Sequence, residues 1–400
     1  MLPCRQRARR PKRETAPAVP QHRADFDLAD CWRLARTDGV GPITWRRLLS
    51  RYGTATAALA ALPRLVRAGG RDTPPAIPTL DEANRELERL AKLGARPLVL
   101  DQPDYPPLLA LLDDAPPFLA VQGDVALLAS RGVAVVGGRN ASANGQSMAE
   151  ALCADLARHV MVVSGLARGI DAAAHRGALS TGRTVAVVAG GLDMPYPADH
   201  AALQARIAES GAVVAEAPLG TAPQARHFPR RNRIVAGLVL GVVVVEASPR
   251  SGSLITARIA QEAGREVFAV PGSPTDPRSR GANDLIRHGA ILTETAEDVL
   301  DNLPPQPIYP GLPGAAVPPP GLAEPCPELP DDALDLPRVL SQVVDLLGPS
   351  PTAVDDVVRR CQFSPAAVMV ALLELELAGR LETLPGNRVA LLSDEARIRE

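Results

Sequence analysis

"VVSGLARGIDAAAH", residues Val162–His175, joins an apolar run to a Ser-Gly, a second Gly, an Asp and a row of alanines ending in His. The Val pair before Ser164 reads as the end of a buried strand, and the alanines read as the face of a helix small enough to pack closely on a sheet. A strand that ends in a Gly-rich turn opening a helix is a unit for holding a ligand. The turn brings backbone close to the ligand, and the first helical N–H groups have no partner within the helix. A nucleotide, a metal or a phosphate of a longer nucleic acid are the occupants such a turn serves.

The same unit recurs on both sides. "PLVLD", "VAVVGG", "TVAVVAGG", "AVVAE", "VVVVEAS" and "EVFAVPG" are near-continuous apolar runs between residues 94 and 303. Runs of that kind, without strict alternation, suit strands buried on both faces. The stretches between them have helical spacing (residues 145–158, 171–180 and 201–209), which predicts an α/β fold with a doubly wound parallel sheet. Ligands of such sheets bind beyond the carboxyl ends of the strands, near the point where strand order reverses. Five strand ends here are rich in Gly, Ser or Arg: "GGRNAS" (137–142), "SGLARGID" (164–171), "GGLDMPYP" (190–197), "SPRSGSLIT" (248–256) and "PGSP" (271–274). Five in succession predict an anionic or nucleotide-like ligand, with Arg139, Arg168 and Arg250 adding charge-assisted contacts.

Neither G-x-G-x-x-G followed by an acid nor G-x-x-x-x-G-K-[ST] occurs, so no dinucleotide cofactor and no P-loop ATP is expected, and no other cofactor is implied. "HFPRRNRIVAG" (227–237) is the densest basic stretch of the folded part. Arginines beside an aromatic ring suit a single strand of nucleic acid, one gripping phosphate and the other stacking on a base. Asp171 and His175 share a helical face. No third metal ligand is visible, and Asp171 reads as a brace that bonds backbone N–H groups at the helix start. Asp193 is read in the same way. No set of nucleophile, base and orienter assembles.

Beyond the sheet, residues 25–75 read as a helical module. "DLADCWRLARTDGVGPITWRRLLSRYG" has two helical stretches around "GVGP", the outline of a helix-hairpin-helix. Residues 304–335 form a Pro-rich linker. Residues 336–392 read as three helices and a two-stranded wing, a winged-helix domain. It carries Asp355, Asp356, Glu374 and Glu376, with few basic residues on its third helix, which favours partner contacts or weak DNA binding over specific base reading. Residues 1–24 form a basic tail without the apolar core of a signal peptide. The 400 residues are 46% hydrophobic and 22% charged, with net charge −2, so nucleic-acid affinity must come from a local patch. Five scattered cysteines argue against a disulfide framework or zinc site. No apolar stretch is long enough to span a membrane, and a cytoplasmic location is expected.

Six of these motifs, in this order, resemble the DNA-processing protein A family (DprA, also called Smf): "GGRNAS", "SGLARGIDAAAH", "GGLDMPYP", "FPRRNRIVAG", "VVEASPRSGSLITA" and "VFAVPG". The resemblance spans about residues 94–303, and the flanking modules fit the family's architecture. It implies a protein that binds single-stranded DNA, protects incoming DNA during natural transformation and hands it to the RecA recombinase, without catalysis. It also implies that the sheet of residues 94–303 is an extended Rossmann-like domain and that a homodimer forms through it. On that basis Gly137, Gly138, Arg139 and Ser142 form a first phosphate-binding turn, and Ser164, Gly165, Arg168 and Gly169 a second. Arg230, Arg231, Asn232 and Arg233 flank the pocket, and Ser251, Gly252 and Ser253 close it. Tyr196 and Phe228, by their type and position rather than by the resemblance, are the candidates for base contact. Gly138, Asn144, His200 and Val239 depart from the family's usual Ser, Tyr, Asn and Ser. The competing readings are a nucleotide-binding or nucleotide-hydrolysing enzyme on a related scaffold, whose P-G-G-x-G-T-x-x-E signature is missing here, and a regulator that reads duplex DNA through the winged helix while the sheet senses a small nucleotide.

Overall fold

A computed structural model describes residues 27–70, 73, 75–305, 336–384 and 386–392. The basic tail and all but the start of the linker lie outside the described residues. The chain begins with four helices, α1 (Leu28–Ala35), α2 (Pro42–Tyr52), α3 (Ala55–Ala68) and α4 (Leu80–Lys92). Between α1 and α2, Gly39 takes φ +78°, and Pro42 then opens α2 at a position where its missing N–H costs nothing. The fourth helix, unplaced by the sequence reading, starts at a reciprocal cap between Thr79 and Glu82 and packs on α1.

The central unit follows as β1 (Ala95–Val99), α5 (Pro107–Ala110), β2 (Phe118–Gly123), β3 (Gly132–Gly137), α6 (Ala143–Leu156), β4 (Met161–Ser164), α7 (Ile170–Ala178), β5 (Thr184–Val188), α8 (Ala201–Ser210), β6 (Ala212–Ala215), α9 (His227–Gly237), β7 (Gly241–Val245), α10 (Gly252–Glu262), β8 (Glu266–Ala269), α11 (Arg280–Arg287), β9 (Ile291–Leu292) and α12 (Ala296–Asn302). One nine-stranded sheet results, in the order β1-β2-β6-β5-β4-β3-β7-β8-β9. Seven strands, β6 through β9 in that order, run parallel. The wholly parallel expectation needs correction at one edge: β2 pairs antiparallel with both β1 and β6. β2, "FLAVQG", was not singled out, because a short apolar run without a Gly-rich exit gives no loop signal.

Val133, Val135, Val243 and Val245 are all within 1% of complete burial. Each such side chain contributes about 1.5–3 kcal/mol on burial, so the Val runs alone account for the sheet's central position. Successive strands step from β3 to β6 in one direction and from β7 to β9 in the other. The reversal lies between β3 and β7, where Gly137 stands beside Val245.

The last unit comprises α13 (Leu336–Leu346), β10 (Thr352–Ala353), α14 (Val354–Arg360), α15 (Pro365–Leu377), β11 (Leu381–Leu384) and β12 (Arg388–Leu391). Its three-stranded sheet and three helices form the expected winged helix, around a core that includes Val339, Val343 and Leu372. Cys31, Cys153 and Cys361 are buried free thiols. Among the described residues, no helix is long and apolar enough to cross a membrane.

Candidate nucleic-acid interface

A cavity of about 700 Å³ opens at the β3/β7 reversal. Its walls are the loop after β3, the first turn of α9, the loop entering α10, and Arg278 from the loop after β8. Four arginines line it (Arg139, Arg231, Arg250 and Arg278) against two carboxylates, Asp171 and Glu246. Both carboxylates are engaged inward, so the cavity presents positive charge.

Glu246 sits at the end of β7 with φ +47°, a left-handed conformation uncommon for a residue with a side chain. Its Oε2 accepts from the Ser142 backbone N–H at 2.7 Å, and its Oε1 accepts from the Ser142 hydroxyl. Ser142 also caps α6, its Oγ accepting from Gly145 N at 2.9 Å. A carboxylate of the protein itself therefore fills the start of α6 and engages both the backbone N–H and the hydroxyl of Ser142 within the first turn. A Cβ on Gly145 would meet the Glu246 carboxylate carbon at 2.5 Å.

Packing also explains the second turn. Gly169 has φ +78°, and a Cβ there would lie 2.2 Å from the Gly138 carbonyl oxygen. Gly165 leaves room for the Arg231 guanidinium: an added Cβ would fall 1.3 Å from Nη1. Ser164 is fully buried and donates to the Val135 carbonyl at 2.6 Å. Gly137 abuts the Val245 carbonyl and Ile170. Glycine succession at the strand ends, taken in the sequence as a sign of ligand, is here largely what close loop-to-loop and helix-to-sheet approach demands. Arg168 is exposed and pairs with Asp199 at 3.2 Å, outside the cavity.

Asp171 is 6% exposed and accepts from Ala167 N at 3.3 Å. Burial pushes its pKa up, while the charge of Arg231 pulls it down. Arg231, itself 7% exposed, donates to the Val187 carbonyl at 3.2 Å and forms part of the cavity floor. His175 is fully buried, with Nδ1 2.8 Å from the Thr184 hydroxyl. Burial holds its pKa at about 3, so it is neutral at any physiological pH. Asp193 accepts from Gly220 N at 2.7 Å and pairs with Arg89 of α4 at 3.0 Å, tying two loops to the N-terminal helices.

"HFPRRNRIVAG" is the helix α9, and its pitch of about 100° per residue sends consecutive arginines to different sides. Asn232 faces the α10 loop, donating weakly to the Gly252 carbonyl at 3.4 Å. Arg230 does not line the main cavity; it borders a smaller one of about 150 Å³ with His227 and Arg36. Arg233 turns away altogether. It pairs with Glu216 at 2.6 Å and donates to the Asp114 carbonyl, so its placement beside the pocket is corrected.

Two features remain turned outward. The first is the start of α10, where Ser251 caps the helix and its Oγ lies 2.7 Å from the Ser253 Oγ. Gly252 has no other atoms within 4 Å of where a Cβ would stand, and exposed Arg250 precedes it. An 11-residue helix with an open N-terminus beside arginines attracts an anion. The second is an aromatic wall. The Phe228 and Tyr196 ring centroids lie 5.6 Å apart at 58°, and the Arg139 guanidinium carbon lies 4.8 Å from the Phe228 centroid. Tyr196 is 49% exposed. Arg278 escaped the sequence reading, although it follows "PGSP" by only a few residues; it is held by both Asp276 carboxylate oxygens and faces the cavity.

The sequence profile of DNA recombination-mediator protein A matches residues 96–304, which contain the whole cavity. The chain belongs to the DNA recombination-mediator protein A family. Profiles of a DprA-like N-terminal HHH domain and a DprA winged helix domain match residues 25–88 and 327–387. Protein Smf of Escherichia coli is 45% identical over 73% of this chain and 76% of its own length. A DNA processing protein DprA of Mycobacterium tuberculosis, so described as putative, is 40% identical over 77% of this chain and 80% of its own. The crystal structure of DNA processing protein A from Streptococcus pneumoniae superposes with a TM-score of 0.59 at 35% identity, covering 70% of this chain and 98% of that one.

Proposed function

We propose that this protein binds single-stranded DNA across the β3/β7 reversal, holds it without cleaving it, and passes it to the RecA recombinase during uptake of DNA by the cell. The observation that carries this reading is the juxtaposition of an open α10 N-terminus, flanked by Arg139 and Arg250, with the Phe228–Tyr196 wall. The cationic half suits backbone phosphate, which carries no sequence information. The aromatic half suits an unpaired base, whose π-face a duplex keeps stacked away. Arg139, stacked on Phe228, belongs to both halves.

A binding role rather than glycosidic hydrolysis is supported by the state of the two carboxylates. Glu246 is spent on Ser142 and Asp171 on the turn after β4, so neither is placed to act as a paired acid and base on a substrate. The likeness of the chain to its relatives supports a DNA-processing role. The cytoplasm and a homodimer through the central sheet belong to the same proposal.

Fluorescence anisotropy of labelled oligothymidine and of its duplex form, across a salt series, tests the reading. Single strands should bind more tightly, with log affinity falling against log salt by about 0.7 per phosphate engaged. Arg139→Ala should weaken binding and flatten that slope. Equal affinity for duplex, or an unchanged slope in Arg139→Ala, would refute the site. The RecA step is tested separately, by whether the protein speeds RecA assembly on an already coated single strand.

A further inference from the structure

The third helix of a winged-helix unit is the element that would enter a DNA groove. In this protein α15 is apolar nearly all round, and residues 371–375 are buried without interruption. A helix with no polar face is covered on more than one side. One side is its own domain, where Leu372 and Leu375 pack with Val339 and Val343. The other carries Leu373 and Leu377, which join the core that runs through the N-terminal helices. α15 lies against α2 and α3. There Arg47 pairs with Glu376 at 3.2 Å, and the Arg380 guanidinium reaches the Gly69 carbonyl at 3.5 Å. The backbones nearly touch: a Cβ on Gly69 would stand 2.2 Å from the Glu374 carbonyl oxygen and 2.8 Å from the Ala378 Cβ.

We propose that α15 is a protein-docking helix whose partner is the chain's own N-terminal helical module, and that protonation of Glu374 governs how firmly the two are closed. No Lys or Arg occurs between Gln362 and Gly379, so the helix has nothing with which to grip phosphate even when released. Glu374 is 2% exposed within the contact, and its Oε2 has no hydrogen-bond partner among the described residues. The charged groups bearing on it are Arg51 from α2 and Arg64 from α3, with Glu376, Arg47 and Arg380 at the rim. Burial outweighs those cations and lifts the carboxyl from 4.5 to about 7. A carboxyl with a higher pKa when docked favours docking when protonated. That preference is complete below its ordinary value and fades by up to tenfold per pH unit on the way to about 7, above which it is gone.

Hydrogen exchange of the full chain, corrected for the intrinsic pH dependence of amide exchange, reads the contact directly. Protection over residues 370–378 should fall at least tenfold between pH 5 and pH 8, while residues 339–347 change little. Glu374→Gln should hold that protection level at both pH values. Gly69 has an ordinary helical φ of −72°, so Gly69→Ala suits its own backbone yet wedges against α15. It should expose residues 370–378 at either pH and leave the winged-helix core protected. Unchanged protection in Gly69→Ala would overturn the docking. The same pH loss in Glu374→Gln as in wild type would overturn the role of the proton. A gain of tight duplex binding in Gly69→Ala would overturn the assignment of α15 to protein contact.

Discussion

Gly165→Ala separates two accounts of the Ser-Gly turn. If the glycine serves a phosphate, alanine should block binding and leave the fold intact. If it serves Arg231, alanine should strike the fold. The backbone at Gly165 is not left-handed, so the cost of alanine is contact alone, with its Cβ 1.3 Å from Nη1 and 2.2 Å from Cζ of Arg231. The guanidinium must leave its seat. It then loses its bond to the Val187 carbonyl, about 1.5–3 kcal/mol for a charged donor. It also moves the stronger of two cations acting on buried Asp171 away, the other being Arg139, and leaving a buried charge short of its counter-charge costs up to about 3–5 kcal/mol in all. Because Arg231 borders the open cavity, it can swing outward and recover some solvation, so a loss of about 3 kcal/mol is expected. At roughly 2–4 °C per kcal/mol for a unit of this size, the melting temperature should drop by about 6–12 °C. The deficit should also depend on pH. Burial already raises the pKa of Asp171, and loss of Arg231 raises it further. A carboxyl with a higher pKa in the folded state loses stabilisation as pH climbs from its ordinary value toward the folded one, so the variant should suffer less in mild acid than at neutrality. Thermal unfolding at pH 5 and pH 7.5, beside oligothymidine anisotropy, gives both readings. A wild-type melting curve combined with lost binding would refute the packing account.

Other variants probe the same division. Gly252→Asp places a carboxylate in open space at the start of α10; it should stabilise the helix by about 0.3–1 kcal/mol yet reduce oligothymidine affinity at least tenfold, measured by melting and anisotropy. Ser142→Ala removes a helix cap and a partner of Glu246, and should cost about 1–2 kcal/mol in denaturant unfolding without changing the salt slope of binding. Arg233→Ala should destabilise by about 3 kcal/mol, because it strands Glu216, and should leave that slope unaltered; a flatter slope would return Arg233 to the DNA site.

Much of this protein was legible as pattern. Val runs ending in Gly-rich loops can be little other than strands of a layered α/β sheet, since so many β-branched residues need cover on both faces. The order of the six motifs marked the family, and the acidic, apolar third helix of the winged-helix unit already argued against base reading. Which polar group faces which neighbour was not legible. Ser142 and Glu246 stand 104 positions apart, and only the pairing of β3 with β7 turns a capping serine and a strand-end acid into one closed unit. Arg230, Arg231 and Arg233 look alike as letters, but the pitch of α9 sends one toward a small side cavity, one into the floor and one to Glu216. Glycine is the most ambiguous letter of all: it serves a ligand and a crowded neighbour equally well. Local residue type and spacing thus determined the elements and their class, because those depend on neighbours along the chain. The tertiary structure decided which charges are consumed internally and which remain to meet a ligand, because that depends on groups brought together only when the sheet closes.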